Sequence, residues 1–248
     1  MSGQLYPKIL ILTVLSGWVL LFSSCFKDPD NLTIGKFIDN RDQHEYKWVT
    51  IGTQTWMAEN LAWMPAVSPP EIGSDTVAHY YVYGYVGANV AEAEQSDGFS
   101  TYGVFYNWPA ALNGADSSNS IPSGVRGICP EDWHLPSDGE WYVLINYLGG
   151  EYTAGKKMKS TRGWNSYEGI NGKGDNSSGF NGLSAGARKN EGGFYVLGNN
   201  ALFWSSTGYN GYSAWYRHLT NTHLGVYRYF LSKRYGFSVR CIKDIKSQ

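Results

Sequence analysis

The sequence predicts an α+β domain of mixed short β-strands and hairpins, one or two helices and long Gly/Asn-rich loops. Three observations carry that class. Glycine supplies 30 of the 248 residues, 16% are aromatic and only 17% are charged, a profile of turn-rich β structure. Short apolar or alternating runs recur between polar turn clusters, as half-buried strands require. In Ser137-Asp138-Gly139-Glu140-Trp141, a serine precedes a glutamate by three residues, the spacing of a helix capping box at the head of an apolar-periodic run.

Residues 1–24 read as a lipoprotein signal peptide. Lys8 supplies a positive start, and residues 9–22 form an apolar run shorter than the roughly 20 residues a bilayer span needs. The run stops at Leu21-Phe22-Ser23-Ser24-Cys25, which resembles a bacterial lipobox with Cys25 as the lipidated first residue of the mature chain. An ordinary signal peptide with an incidental cysteine, or a short membrane anchor, remains the alternative. Lipidation places the chain in the cell envelope, anchored to the outer membrane, with acyl chains worth about 0.8 kcal/mol per buried CH₂. Residues 25–36 are rich in Lys27, Asp28, Pro29, Asp30 and Asn31 and read as a flexible tether. Lys27-Asp28 faintly resembles a surface-directing signal. A single domain is expected over residues 37–245.

With Cys25 assigned to lipid, Cys129 and Cys241 are left. An oxidising compartment and an even count favour one disulfide between them; two separately buried thiols are the alternative. Near-zero net charge (−1) argues against nucleic acid, whose phosphates demand an excess of Lys and Arg.

Residues 46–51 alternate as a strand, Gly52-Thr53 turns, and residues 54–57 return, making a hairpin in which Trp56 anchors the core. Trp63 reads as a second anchor. From residue 65 to 97 the pattern fails, and the segment reads as an insertion. Residues 102–111 are apolar, aromatic and tight. The helix after Ser137 places Trp141, Leu144, Ile145 and Leu148 on one face and ends at Gly149-Gly150. Residues 154–158 suggest a short second helix, and 160–200 mostly loop. Strands follow at 202–206, 214–219, 227–229 and 236–242. In the last, Phe237, Val239 and Cys241 share a face, and pairing beside a strand before Cys129 would bring the sulfurs together.

Lys47-Trp48-Val49-Thr50-Ile51-Gly52-Thr53-Gln54-Thr55-Trp56-Met57-Ala58-Glu59-Asn60-Leu61 resembles the opening of the Fibrobacter succinogenes major paralogous domain family. Tyr102-Gly103-Val104-Phe105-Tyr106-Asn107-Trp108, Gly127-Ile128-Cys129-Pro130 with Trp133-His134-Leu135-Pro136, Ser177-Ser178-Gly179-Phe180, Phe203-Trp204-Ser205-Ser206-Thr207 and Gly236-Phe237-Ser238-Val239-Arg240-Cys241 resemble its later blocks in order. The resemblance runs from about residue 39 to 244 and implies an exported lipoprotein of the kind abundant in Bacteroidota and Fibrobacterota. It also implies a C-type lectin-like fold, one shared with formylglycine-generating enzymes. The 65–97 region is longer than the resemblance implies.

A lectin-like fold raises the question of calcium, which takes six to eight oxygens, usually including several carboxylates. The chain has no Glu-Pro-Asn, Gln-Pro-Asp or Trp-Asn-Asp motif, and Asp175 with Asn176 is the best remaining cluster. No cofactor is expected. His218 and His223 lack a third zinc ligand, and His134 reads as a structural hydrogen-bonder. A divergent enzyme of the formylglycine-generating type would need a free cysteine pair, which a lipid and a disulfide would consume. The chain is therefore read as non-catalytic. The loops carry aromatics beside amides: Trp164, Asn165, Tyr167, Asn199, Asn200, Tyr209, Asn210 and Tyr212. Such pairs stack on and hydrogen-bond to a sugar or a protein surface, or they plug glycine-rich loops from within. The expected partner is a surface glycan or protein, with a structural role in a surface assembly as the further alternative.

Overall fold

The computed structural model describes residues 26–27 and 32–245; the signal segment and Cys25 lie outside the described residues. The N-terminal strands are β1 (Phe26–Lys27), β2 (Thr33–Ile38), β3 (Glu45–Ile51), β4 (Gln54–Met57) and β5 (Tyr80–Tyr81). Then come α1 (Val90–Glu94), α2 (Asp97–Tyr102), β6 (Phe105–Tyr106), α3 (Trp108–Leu112) and β7 (Trp133–His134). After α4 (Asp138–Tyr147) and α5 (Ala154–Met158) the chain returns to strands. These are β8 (Ala187–Arg188), β9 (Phe194–Tyr195), β10 (Asn200–Gly208), β11 (Ser213–Thr220), β12 (Tyr227–Ser232) and β13 (Ile242–Lys243). The class is α+β, built from small antiparallel sheets with few helices. Among the described residues, no helix is long and apolar enough to cross a membrane.

The largest sheet has the order β1-β2-β3-β4-β13-β7, so the last strand closes between the first hairpin and the stretch after Cys129. A second sheet is β10-β11-β12. The β3–β4 hairpin alternates as its sequence predicts. Tyr46 and Met57 enter one core cluster, while Val49, Ile51 and Trp56 enter another. In the second cluster Trp56 lies 4.6 Å from Trp141, Phe180 stands edge-on to both, and Phe203 lies tilted against Trp141. That aromatic box seats α4 on the sheet.

Helix α4 starts where the capping box puts it. Ser137 Oγ accepts the Glu140 amide, and Glu140 Oε2 accepts the Ser137 amide at 2.9 Å. Trp141, Leu144, Ile145 and Leu148 are buried on its inner face. Cys129 and Cys241 form a disulfide across 112 residues.

Three expectations need correction. The paired sheet begins inside the expected tether, because β2 runs from Thr33 to Ile38 in register with β3. Gly35 hides that strand from a composition reading, and its role is steric: a Cβ there would meet the Trp48 ring at 2.3 Å. The 65–97 segment, patternless in sequence, is packed into the domain, since Val67, Tyr80, Tyr81, Val82 and Ala93 are buried. Its order comes from outside itself. Asn107 donates to the Ser74 and Val77 carbonyls, and the Arg188 guanidinium donates to those of Pro70 and Ile72. Finally, β13 lies between β4 and β7, and the neighbour that brings it to Cys129 is β7, which follows that cysteine, rather than a strand just before it. Residues 236–240 touch β6, β8 and β10 through isolated bridges and backbone hydrogen bonds. This route buries both faces, so Arg240 is enclosed and donates to Asn60 Oδ1 and to the carbonyls of Met57, Phe180 and Asn181.

Candidate functional site

Four of the eight aromatic and amide residues singled out by sequence meet in one open concavity of about 660 Å³. Asn165 and Tyr167 come from the loop after α5, Asn199 and Asn200 from the entry to β10. Thr220, Asn221 and Thr222 at the end of β11 complete it, with Ser166 and Val196. No formal charge lines it.

Short-range chemistry builds each wall. Glu168 and Gly169 both take positive φ, and Tyr167 and Ile170 exchange two backbone hydrogen bonds of 2.9 Å around them. That tight reversal leaves Tyr167 half exposed at the lip. The walls are stitched by amides. Asn165 Nδ2 donates to Asn199 Oδ1 at 3.0 Å, and Asn221 Nδ2 donates to the Asn165 carbonyl at 3.3 Å. The Asn165 amide donates to Gly198 O at 2.7 Å. Gly198 has φ +76°, and any Cβ would strike the Asn165 side chain at 2.5 Å. Among the described residues, the Asn200 side chain, Asn199 Nδ2 and Asn221 Oδ1 have no hydrogen bond within the chain.

Lys159 lies beneath. It is almost fully buried, and its ammonium donates to the carbonyls of Gly172 (2.7 Å), Thr220 (3.1 Å) and His223 (3.0 Å). Burial lowers its pKa to about 8. Sequence reasoning missed this residue, because nothing near Lys159 marks carbonyls that are 13 to 64 positions away.

Trp164 is corrected from candidate ligand contact to plug. It is 8% exposed, its indole N–H donates to Ser160 Oγ and Gly182 O, and Lys159 Nζ sits 5.2 Å from its ring centre. Tyr209, Asn210 and Tyr212 lie apart from the concavity, on the β10–β11 turn. Asn210 Oδ1 accepts the amides of Tyr212 and Ser213, which shapes the turn. Tyr209 stacks on Phe230 at 3.8 Å beside Trp215, and Arg228 lies 3.3 Å over the Trp215 ring. At the weak calcium candidate, Asp175 Oδ1 accepts from Ser177 and Asn176 Oδ1 from the Asn181 amide. Among the described residues, no three His, Cys, Asp or Glu side chains gather where they could hold a metal.

His134 stands in a separate cleft of about 400 Å³. Its Nε2 is 2.8 Å from Glu140 and its Nδ1 is 2.6 Å from Asp244. Burial opposes its charge, but the hydrogen bond and charge of Glu140, then those of Asp244, outweigh burial and raise the pKa. With both nitrogens held by carboxylates, the ring joins β7, α4 and the C-terminal strand and has no nitrogen to spare for a substrate proton.

A family model described as the Fibrobacter succinogenes major domain matches residues 49–243. No curated protein and no solved structure matches the chain.

Proposed function

The chain belongs to the Fibrobacter succinogenes major domain family, and from that premise we propose that it is a non-catalytic binding protein of the cell envelope. Its ligand is a neutral glycan held in the Asn165–Asn199–Asn221 concavity of a lectin-like domain, and the lipid on Cys25 anchors it to the outer membrane. One observation carries this reading. Amide donors and acceptors without partners face an uncharged open hollow, with a half-exposed tyrosine at its lip. Sugar hydroxyls both donate and accept, as primary amides do, and tyrosine offers a face for the C–H side of a ring.

The non-catalytic part rests on the commitment of the reactive groups. Cys129 and Cys241 are spent in the disulfide, and both His134 nitrogens in carboxylate contacts, which argues against a formylglycine-generating type of chemistry. A glycan array probed with the purified chain, with and without calcium, tests the reading. Binding that disappears in Asn199→Ala and Asn221→Ala is the expected result, and silence across the array removes the proposal.

A protein partner is the second reading, favoured by the exposed aromatic group of Tyr209, Tyr212 and Phe230 beside Trp215. Cross-linking from Tyr212 to an envelope protein, unaffected by the concavity variants, is its expected signature.

A further inference from the structure

A row of aromatic rings adjoins the concavity at Thr222. Thr222 Oγ1 is 2.7 Å from His223 Nδ1, and the His223 ring stands edge-on to Tyr227 at 5.6 Å. Tyr227 and Tyr229 follow two residues apart on β12, so they share a face, and their rings are nearly parallel at 5.9 Å. Strand register carries the same line across the sheet. Asn200 pairs with Thr220, Leu202 with His218, and His218 with Tyr227; Tyr216 pairs with Tyr229. On that sheet face Thr220 and Tyr216 are buried, so the accessible route from the amide hollow runs over Thr222 and His223 to Tyr227 and Tyr229.

The chemistry of this strip matches that of the hollow. Tyr229 is 49% exposed and Tyr227 half-buried. Burial depresses the His218 pKa to about 4, so the imidazole is neutral. Arg228, between the two tyrosines, belongs to the opposite face, where it pairs with Asp138 at 2.7 Å and covers Trp215. The accessible strip is aromatic, and it adjoins the concavity at Thr222.

We propose that the ligand is an oligosaccharide of several neutral sugar units, with one end in the amide hollow and the rest lying along the His223–Tyr227–Tyr229 strip. This deepens the glycan reading of the concavity and rests on it. Aromatic rings take the flat C–H faces of successive sugars, while the amides fix one terminus by its hydroxyls. Affinity should therefore grow with chain length until the strip is covered, then level off.

The test is calorimetric titration of the full chain with neutral β-1,4-linked gluco-, manno- and xylo-oligosaccharides from disaccharide to hexasaccharide. In the series that binds, the hexasaccharide should bind about tenfold tighter than the disaccharide, the scale of one aromatic stacking contact. Tyr229→Ala should erase that gain and leave disaccharide affinity unchanged, Tyr229→Phe should keep it, and Asn199→Ala should weaken every length. Tyr229 is exposed, so its variants fold as the parent does, which thermal melts would verify. Binding independent of length, or a length gain that survives Tyr229→Ala, overturns the extended site and leaves the concavity reading standing. No binding by any series overturns both.

Discussion

Glu140 holds the His134 imidazole with one carboxylate oxygen, Oε1 at 2.8 Å, and the head of its own helix with the other, Oε2 at 2.9 Å from the Ser137 amide. A single side chain thus couples a helix cap to a buried histidine. Because the folded His134 pKa lies above its ordinary 6.5, the folded state keeps a proton that the unfolded chain has lost. The contribution is full below about pH 6.5 and is lost as pH rises through the raised value. The urea midpoint should therefore fall between about pH 6 and about pH 8. His134→Gln should flatten that slope. A wild-type midpoint that is constant or rising over the window would contradict the clamp.

The disulfide supplies a larger effect. Cross-linking residues 112 apart removes unfolded-state freedom worth roughly 4–5 kcal/mol in the chain-entropy description. Cys129→Ser with Cys241→Ser should lower the unfolding free energy by about that amount, as read by denaturant titration. The same variant should leave the proposed glycan binding unchanged where the domain remains folded, because neither cysteine lines the concavity.

Arg240 should tolerate no replacement. Its guanidinium serves Asn60 and three carbonyls and lies 4.7 Å from the Phe180 ring centre. Arg240→Met strands four acceptors and should cost about 3–5 kcal/mol. Arg240→Lys should recover only part of it, since an ammonium cannot reproduce a planar fork. Thermal melts of the two variants check the order.

Lys159→Met should cost about 3 kcal/mol by leaving three loop carbonyls unpaired, and it should also weaken glycan binding, because Thr220 O is one of those carbonyls. Its pH dependence opposes that of His134. With a folded pKa of about 8 against an ordinary 10.5, the unfolded chain binds the extra proton, so stability should rise from about pH 8 towards pH 10.5. That rise should vanish in Lys159→Met.

What the sequence made legible was local. Ser137 and Glu140 lie three apart, the inner face of α4 repeats within a few turns, and β3–β4 turn back through Gly52-Thr53, so each could be read from neighbours. The cysteine pairing followed from count and compartment. Contacts that cross the chain were not legible: His134 meets Asp244 from 110 residues away, and Arg188 orders Pro70 from 118. The site shows both outcomes. Asn165, Tyr167, Asn199 and Asn200 were identifiable by residue type, but their convergence with Asn221 depends on where β11 ends. Trp164 had the same loop composition as its neighbours, and only the buried acceptors Ser160 and Gly182 distinguish a plug from a platform. Thr33–Ile38 looked like linker because Gly35 breaks its apolar rhythm, and the reason for the glycine, Trp48, is on the next strand.

The ammonium under the concavity has a consequence for how the binding loops respond to their surroundings. Three backbone oxygens converge on Lys159 Nζ as they would on a small metal ion, yet this cation is covalently part of the chain. A chelator cannot strip it and dilution cannot release it. Only alkali can discharge it, near pH 8. Loops ordered in this way keep their shape through swings in mineral supply.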